Sequence, residues 1–122
     1  AAQRRMFGQT LADFQNTRFK LAELLAETQA QRVFLDRCIE LHLARQLSAT
    51  DAAMLKLTTT ELQGRVMDAC LQLFGGWGYM WEFPIARAFV DARLGRIGGG
   101  AVEVMKEIIA REMLPANRRP AR

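Results

Sequence analysis

The sequence predicts an all-α fold, an up-and-down bundle of helices joined by short loops. No alternation of apolar and polar residues lasts more than a few positions, as a half-buried β-strand would require. Only three prolines occur, all of them beyond residue 83, and the glycines are clustered. With 122 residues, half of them hydrophobic, the chain is long enough for one domain with a packed core, which we assign to residues 1–122.

The first helix is predicted from about Gln9 to about Arg45, a length of about 50 Å or more. Its apolar residues occupy more than one stripe, so it needs packing partners on several sides. After a turn, Ser48 with Asp51 resembles a capping box that starts a second helix, although Thr50 could cap it instead.

The second helix carries a stripe of apolar and small residues at near-heptad spacing, which predicts a seam against another helix. The stripe consists of Ala53, Leu57, Thr60, Gly64, Met67, Leu71 and Phe74. Gly64, in the middle of the seam, predicts a close crossing of two helices. The segment GGWGY (residues 75–79) ends this helix, because glycine accepts the left-handed conformation of a C-terminal cap.

Two shorter helices are predicted in the last third of the chain. One opens at Pro84, because proline is tolerated in a first helical turn, and runs to about Leu94. The other runs from about Ala101 to Leu114 and is closed by Pro115. Residues 115–122, with three arginines and no acidic residue, are predicted to be a flexible tail.

Composition argues against several classes of protein. The net charge of +4 is modest and forms no basic face with aromatic partners, so we expect no nucleic-acid binding. No apolar run approaches the ~18 residues of a membrane span, and no signal peptide is evident, so we expect a cytoplasmic location. His42 is a lone histidine, and Cys38 and Cys70 lie far apart, which predicts reduced thiols and no metal site.

Two glycine clusters are the candidate sites for chemistry. Gly75 and Gly76 leave room for a ligand to approach the backbone. Gly98 to Gly100 stand directly before a helix N-terminus, whose free N–H groups attract anions. From spacing alone, tight turns between helices are favoured over ligand contacts for both clusters.

The segment QLFGGWGYMWEFPIARAFVDARLGRIGGGAVEVMKEIIAREML, residues 72–114, closely resembles the C-terminal part of the acyl-CoA dehydrogenase family. The matching positions there are Gln72, Gly75, Gly76, Gly78, Tyr79, Pro84, Arg87, Asp91, Ala92, Arg93, Ile97, Ala110, Arg111 and Glu112. The segment RRMFGQTLADFQ resembles a second family motif through Arg4, Phe7, Gly8, Leu11 and Gln15. The resemblance covers the whole chain in the family's order, and it raises the ligand interpretation of the glycine clusters above the turn interpretation.

The resemblance implies an α,β-dehydrogenation of acyl-CoA thioesters. In the family a glutamate removes the α-proton, FAD accepts the β-hydrogen as hydride, and electrons pass to an electron-transfer flavoprotein. The C-terminal domain also builds a homotetramer and touches the FAD of a neighbouring subunit.

By the resemblance, residues near the N-terminus and at the end of the second helix would contact the cofactor of a neighbour. Arg4 would contact its pyrophosphate, an anion that suits an arginine fork. Phe7 and Gln15 would lie beside it, and Gln72, Gly75 and Gly76 would receive its adenosine end. Ala101 and Glu103 would lie near the FAD of the same subunit, with Gly100 beside the substrate.

The sequence departs from the family pattern at the glycine turn. Gly99 occupies the position of the catalytic glutamate in many members, and Gly98 and Ala101 replace a tyrosine and a threonine. Glycine cannot take a proton, so no catalytic residue is assigned in this chain. Long-chain and isovaleryl-type members, which also have glycine here, place the glutamate on the preceding helix, and that helix would lie upstream of Ala1.

Length is the second departure. The chain corresponds to the last third or so of a family member, and most of the first helix of its own bundle is absent. We therefore expect an apolar groove that a second copy could fill. We also expect FAD to bind the full-length protein and not this chain alone.

The favoured function is the C-terminal domain of a flavin-dependent acyl-CoA dehydrogenase, which contributes oligomerisation and part of the FAD site. Its location would be the mitochondrial matrix if the source is eukaryotic. The alternative is a stand-alone helical interaction module derived from the same family. A third possibility is a dehydrogenase subunit whose remaining parts come from another polypeptide.

Overall fold

A computed structural model describes residues 1–114 and confirms the all-α class with four α-helices. They are α1 (Gln15–Leu43), α2 (Ala49–Phe74), α3 (Pro84–Gly95) and α4 (Val102–Met113). Two 3-10 turns, Leu11–Asp13 and Gly75–Tyr79, precede α1 and follow α2. The predicted tail at residues 115–122 lies outside the described residues.

The prediction that the first helix begins near Gln9 is wrong. Residues 5–10 form a small antiparallel hairpin of β1 (Arg5–Met6) and β2 (Gln9–Thr10), and α1 begins only at Gln15. The tip of the hairpin is Phe7 and Gly8, with φ of 50° and 82°. Positive φ at both central residues is the backbone conformation that suits the twist of a two-residue hairpin.

The remaining helix boundaries agree with the sequence within a residue or two. Ser48 caps α2, because its hydroxyl oxygen accepts a hydrogen bond of 2.9 Å from the N–H of Asp51. Phe83 and Pro84 start α3 as expected. Ala101 is the N-cap of α4, and the helix ends at Met113.

Helix α2 is the centre of the molecule and packs against α1, α3 and α4. The buried hydrophobic residues are Cys38, Ala53, Leu62, Ala86, Ala92 and Met105. Gly64, predicted to permit a close helix crossing, makes room for a side chain. A Cβ at this position would lie 3.2 Å from the guanidinium carbon of Arg96.

Helix α1 carries several exposed large hydrophobic side chains among its charged ones. They include Phe19, Leu25, Val33 and Leu43, which are 58–78% exposed. Within residues 1–114, no helix combines the length and the hydropathy that a membrane crossing requires. Cys38 and Cys70 are free thiols, as predicted.

Candidate functional site

Arg4 ties the N-terminal segment to the end of α2. Its Nη1 donates a hydrogen bond of 2.8 Å to the carbonyl oxygen of Leu73, and its side chain is half-buried. A Cβ at Gly75 would lie 2.5 Å from the guanidinium nitrogens of Arg4, and the φ of Gly75 is 62°. The positive φ favours glycine at position 75, and the absence of a side chain there leaves space for the guanidinium of Arg4.

The other predicted residues of this cluster lie around the same corner. A groove of about 240 Å³ is lined by the N-terminal residues, Arg4 and the last turn of α2. Gln72 and Gly76 each precede a residue that lines the groove. Both are exposed, and a Cβ at Gly76 would meet no atom within 4 Å. The structure thus brings together Arg4, Gln72, Gly75 and Gly76, which we call the Arg4 corner.

Phe7 and Gln15 belong to the same N-terminal segment but point to open surface. Phe7 is 90% exposed at the hairpin tip, although its positive φ is unfavourable for a bulky residue. Backbone strain and an exposed aromatic ring at one position are typical of a ligand or partner contact. Gln15 is exposed at the first position of α1.

Asp13 holds the joint between the hairpin and α1, and the sequence analysis missed it. Its Oδ2 accepts hydrogen bonds from the hydroxyl of Thr10 at 2.7 Å and from the Thr10 N–H at 2.8 Å. The hydroxyl and then the N–H of Thr10 hold the pKa of Asp13 below its ordinary value of 3.8. The T-x-x-D spacing was the available signal, since it is that of a capping box.

The glycine turn, residues 96–102, connects α3 to α4. The carbonyl oxygen of Arg96 accepts a hydrogen bond of 3.1 Å from the N–H of Val102, which closes the turn. Gly99 and Gly100 have φ of 64° and 99°, so both adopt conformations that favour glycine. A Cβ at Gly100 would lie 2.8 Å from Cε of Met105, whereas a Cβ at Gly99 would face open space.

Lys56 is the second functional candidate that the sequence analysis missed. It lies on α2, and its Nζ donates hydrogen bonds to the carbonyl oxygens of Gly98, at 2.7 Å, and Gly100. The contact joins residues more than 40 positions apart in sequence, and no local pattern signals it. Ala101 is half-buried and Glu103 exposed at the start of α4, where a carboxylate favours the helix dipole.

The Arg4 corner and the glycine turn are far apart on one chain. Arg4 is anchored to Leu73 and the turn is anchored to Lys56, and these two positions are 17 residues apart on α2. At 1.5 Å per residue the two anchors are separated by about 25 Å. Within residues 1–114, no group of three or more His, Cys, Asp or Glu side chains could hold a metal ion.

The profile of the acyl-CoA dehydrogenase C-terminal domain matches residues 1–114, so the chain belongs to this family. Its sequence is similar to the mitochondrial long-chain specific acyl-CoA dehydrogenase of Sus scrofa, at 51% identity over 92% of this chain and 26% of that protein. It is also 37% identical to the mitochondrial isobutyryl-CoA dehydrogenase of Dictyostelium discoideum, over 90% of this chain and 27% of that protein.

Solved structures show the same fold. The acyl-CoA dehydrogenase of Geobacillus kaustophilus superposes with a TM-score of 0.89 at 42% identity, over 92% of this chain and 30% of that chain. The butyryl-CoA dehydrogenase of Megasphaera elsdenii superposes with a TM-score of 0.88 at 32% identity, over 93% and 30%. The chain therefore spans between a quarter and a third of the length of these relatives.

Proposed function

We propose that the chain is the C-terminal helical domain of a flavin-dependent acyl-CoA dehydrogenase. The family match over residues 1–114 supports this function, and the long-chain relative at 51% identity favours that subgroup. The N-terminal and β domains would belong to the rest of a longer protein, because the chain spans only 26% of that relative. Since that relative is mitochondrial, the matrix is the proposed location for a eukaryotic source.

The residues of the Arg4 corner fit a phosphate-containing cofactor. A guanidinium has five N–H donors, and the described contacts of Arg4 use one nitrogen, on Leu73. The remaining donors can bind phosphate oxygens in the forked geometry that arginine favours. Open space above Gly76 allows a ring to approach the backbone.

The separation of about 25 Å along α2 is the observation that favours an oligomer. The Arg4 corner and the glycine turn would contact two different FAD molecules, one held mainly by a neighbouring copy. Each complete site would then combine the glycine turn of one subunit with the Arg4 corner of another. A homotetramer, the assembly that the family resemblance implies, supplies this arrangement.

The chemistry divides between this chain and the rest of the protein. FAD, when bound, accepts the β-hydrogen of the acyl group as hydride, and its electrons pass on to an electron-transfer flavoprotein. Gly99 has no side chain that could accept the α-proton, and the family resemblance implies that a glutamate outside this chain takes it. We therefore expect the chain alone to be inactive and not to retain FAD.

The test is to purify the full-length protein that contains this chain. It should carry FAD, and an acyl-CoA substrate should bleach the flavin absorbance. Arg4→Met should lower the FAD content several-fold, because a charged phosphate contact is lost. The matched control is Arg5→Met, which removes an exposed arginine one residue away.

A colourless protein that does not take up added FAD would contradict the proposal, and so would equal FAD loss in both variants. The alternative, a stand-alone interaction module, is favoured by one observation, the exposed hydrophobic side chains of α1. An open reading frame that starts at this chain, with no flavoprotein domain before it, would support the module.

A further inference from the structure

The contact with Lys56 orients the peptide groups of the glycine turn, so that carbonyl oxygens lie on one side and N–H groups on the other. The Lys56 ammonium is half-buried and, among residues 1–114, pairs with no carboxylate. Its partners are the carbonyl oxygens of Gly98 and Gly100, which come from alternate peptide groups of the same turn. Both carbonyl groups therefore point toward α2.

The amide groups of the turn must then face the other way. In a trans peptide the C=O of one residue points opposite to the N–H of the next. The N–H groups of Gly99 and Ala101 are consequently directed away from Lys56. Neither donates to an acceptor within the described part of the chain. Two free N–H groups on the same side of a turn are donors that can bind an anion or an oxyanion.

We propose that Lys56 is a positioning residue, which holds the glycine turn so that the N–H groups of Gly99 and Ala101 face the acyl thioester. This inference rests on the proposed function, in which Gly100 lies beside the substrate. Lys56 touches neither substrate nor cofactor. It acts through the backbone of the turn, where three successive glycines would otherwise leave many conformations accessible.

The position of the lysine separates its role from cofactor binding. Lys56 lies about 25 Å along α2 from Leu73, where the Arg4 corner is anchored. Loss of Lys56 should therefore disturb the substrate oxygen contact and leave the FAD content unchanged. A variant that is merely destabilised would lose both substrate affinity and FAD content.

The experiment compares two ligands of the full-length holoenzyme. The first is the enoyl-CoA product, which keeps the thioester carbonyl and cannot be dehydrogenated again at the same bond. The second is the corresponding enoyl-CoA thioether, in which a methylene group replaces that carbonyl. Lys56→Met should weaken binding of the thioester about tenfold, the effect of losing oriented hydrogen bonds. Binding of the thioether should change less than twofold, and FAD content should equal that of wild type.

Two further variants complete the test. Lys56→Arg keeps a cation with several donors and should restore most of the thioester affinity. Lys20→Met, at an exposed position on α1, is the matched control and should leave both affinities unchanged. The inference is overturned if Lys56→Met weakens both ligands equally or neither, or if Lys56→Arg behaves like Lys56→Met. If the wild-type holoenzyme binds neither ligand, the proposed function itself fails and the role of Lys56 fails with it.

Discussion

The glycines of this chain serve different purposes that only their surroundings distinguish. Gly75 leaves room for Arg4, and Gly64 leaves room for the guanidinium of Arg96. A Cβ at Gly78 would lie 2.6 Å from the carbonyl oxygen of Leu71, which is backbone and cannot rotate away. A Cβ at Gly76 would meet no atom within 4 Å. The single motif GGWG therefore contains a glycine required by packing and one that packing does not require.

This contrast gives a matched pair of substitutions. Gly78→Ala should destabilise the protein by about 1–3 kcal/mol, because the backbone must shift to admit the methyl group. Gly76→Ala should leave the free energy of unfolding nearly unchanged. Chemical denaturation of the two variants and the wild type measures the difference. Equal stabilities of the two variants would show that the contact with Leu71 does not limit position 78.

Among the elements, the hairpin β1–β2 depends on one carboxylate. The Thr10 hydroxyl and N–H both donate to Asp13, so the folded pKa of this carboxyl lies below 3.8. A folded pKa below the unfolded value means that the stabilisation is complete above about pH 4. It is lost as the pH falls through the folded pKa.

An NMR titration of the Thr10 amide should follow the Asp13 carboxyl, with a midpoint below 3.8. Asp13→Asn removes the charge and should abolish the titration while the resonances of α2 stay in place. A midpoint at or above 3.8 would contradict the hydrogen-bonded arrangement. In the full-length protein, the same variant tests whether the hairpin joint orients Phe7.

The sequence predicted the helices better than the short elements around them. Helix ends coincide with Ser48, Pro84 and Gly75, where capping, ring geometry and backbone freedom act locally. Strands of two residues contain no period to detect, and the hairpin tip is Phe-Gly, not one of the dipeptides that usually signal such turns. The second strand of the hairpin was therefore included in a longer predicted helix.

The residues of the candidate site that belong to family motifs were predicted from the sequence. The contact that depends on tertiary packing was missed. Family motifs pointed to Arg4, Gln72 and Gly75, and the structure places these residues at one corner. The contact of Lys56 with Gly98 joins α2 to the glycine turn, 42 residues further along the chain, so only the packed chain reveals it.

At the scale of the whole molecule, the exposed hydrophobic side chains of α1 predict association. Val33 is 70% exposed, so Val33→Glu should change the free energy of unfolding by no more than about 0.5 kcal/mol. A buried charge in an interface between copies is costly, so the same variant should lower the oligomeric state. Light scattering measures the mass, with Gln29→Glu, an exposed polar position on α1, as the control. An unchanged mass for Val33→Glu would exclude this part of α1 from the interface.

The distance between the two ends of α2 has a genetic consequence. If each reaction centre combines the Arg4 of one copy with the Lys56 of another, then an allele damaged at Arg4 and an allele damaged at Lys56 are complementary. Cells that express both alleles would assemble mixed oligomers. In some of their active sites, an intact Arg4 from one copy would meet an intact Lys56 from the other. Under the proposed function, two impaired alleles expressed together would restore a fraction of the lost dehydrogenase activity.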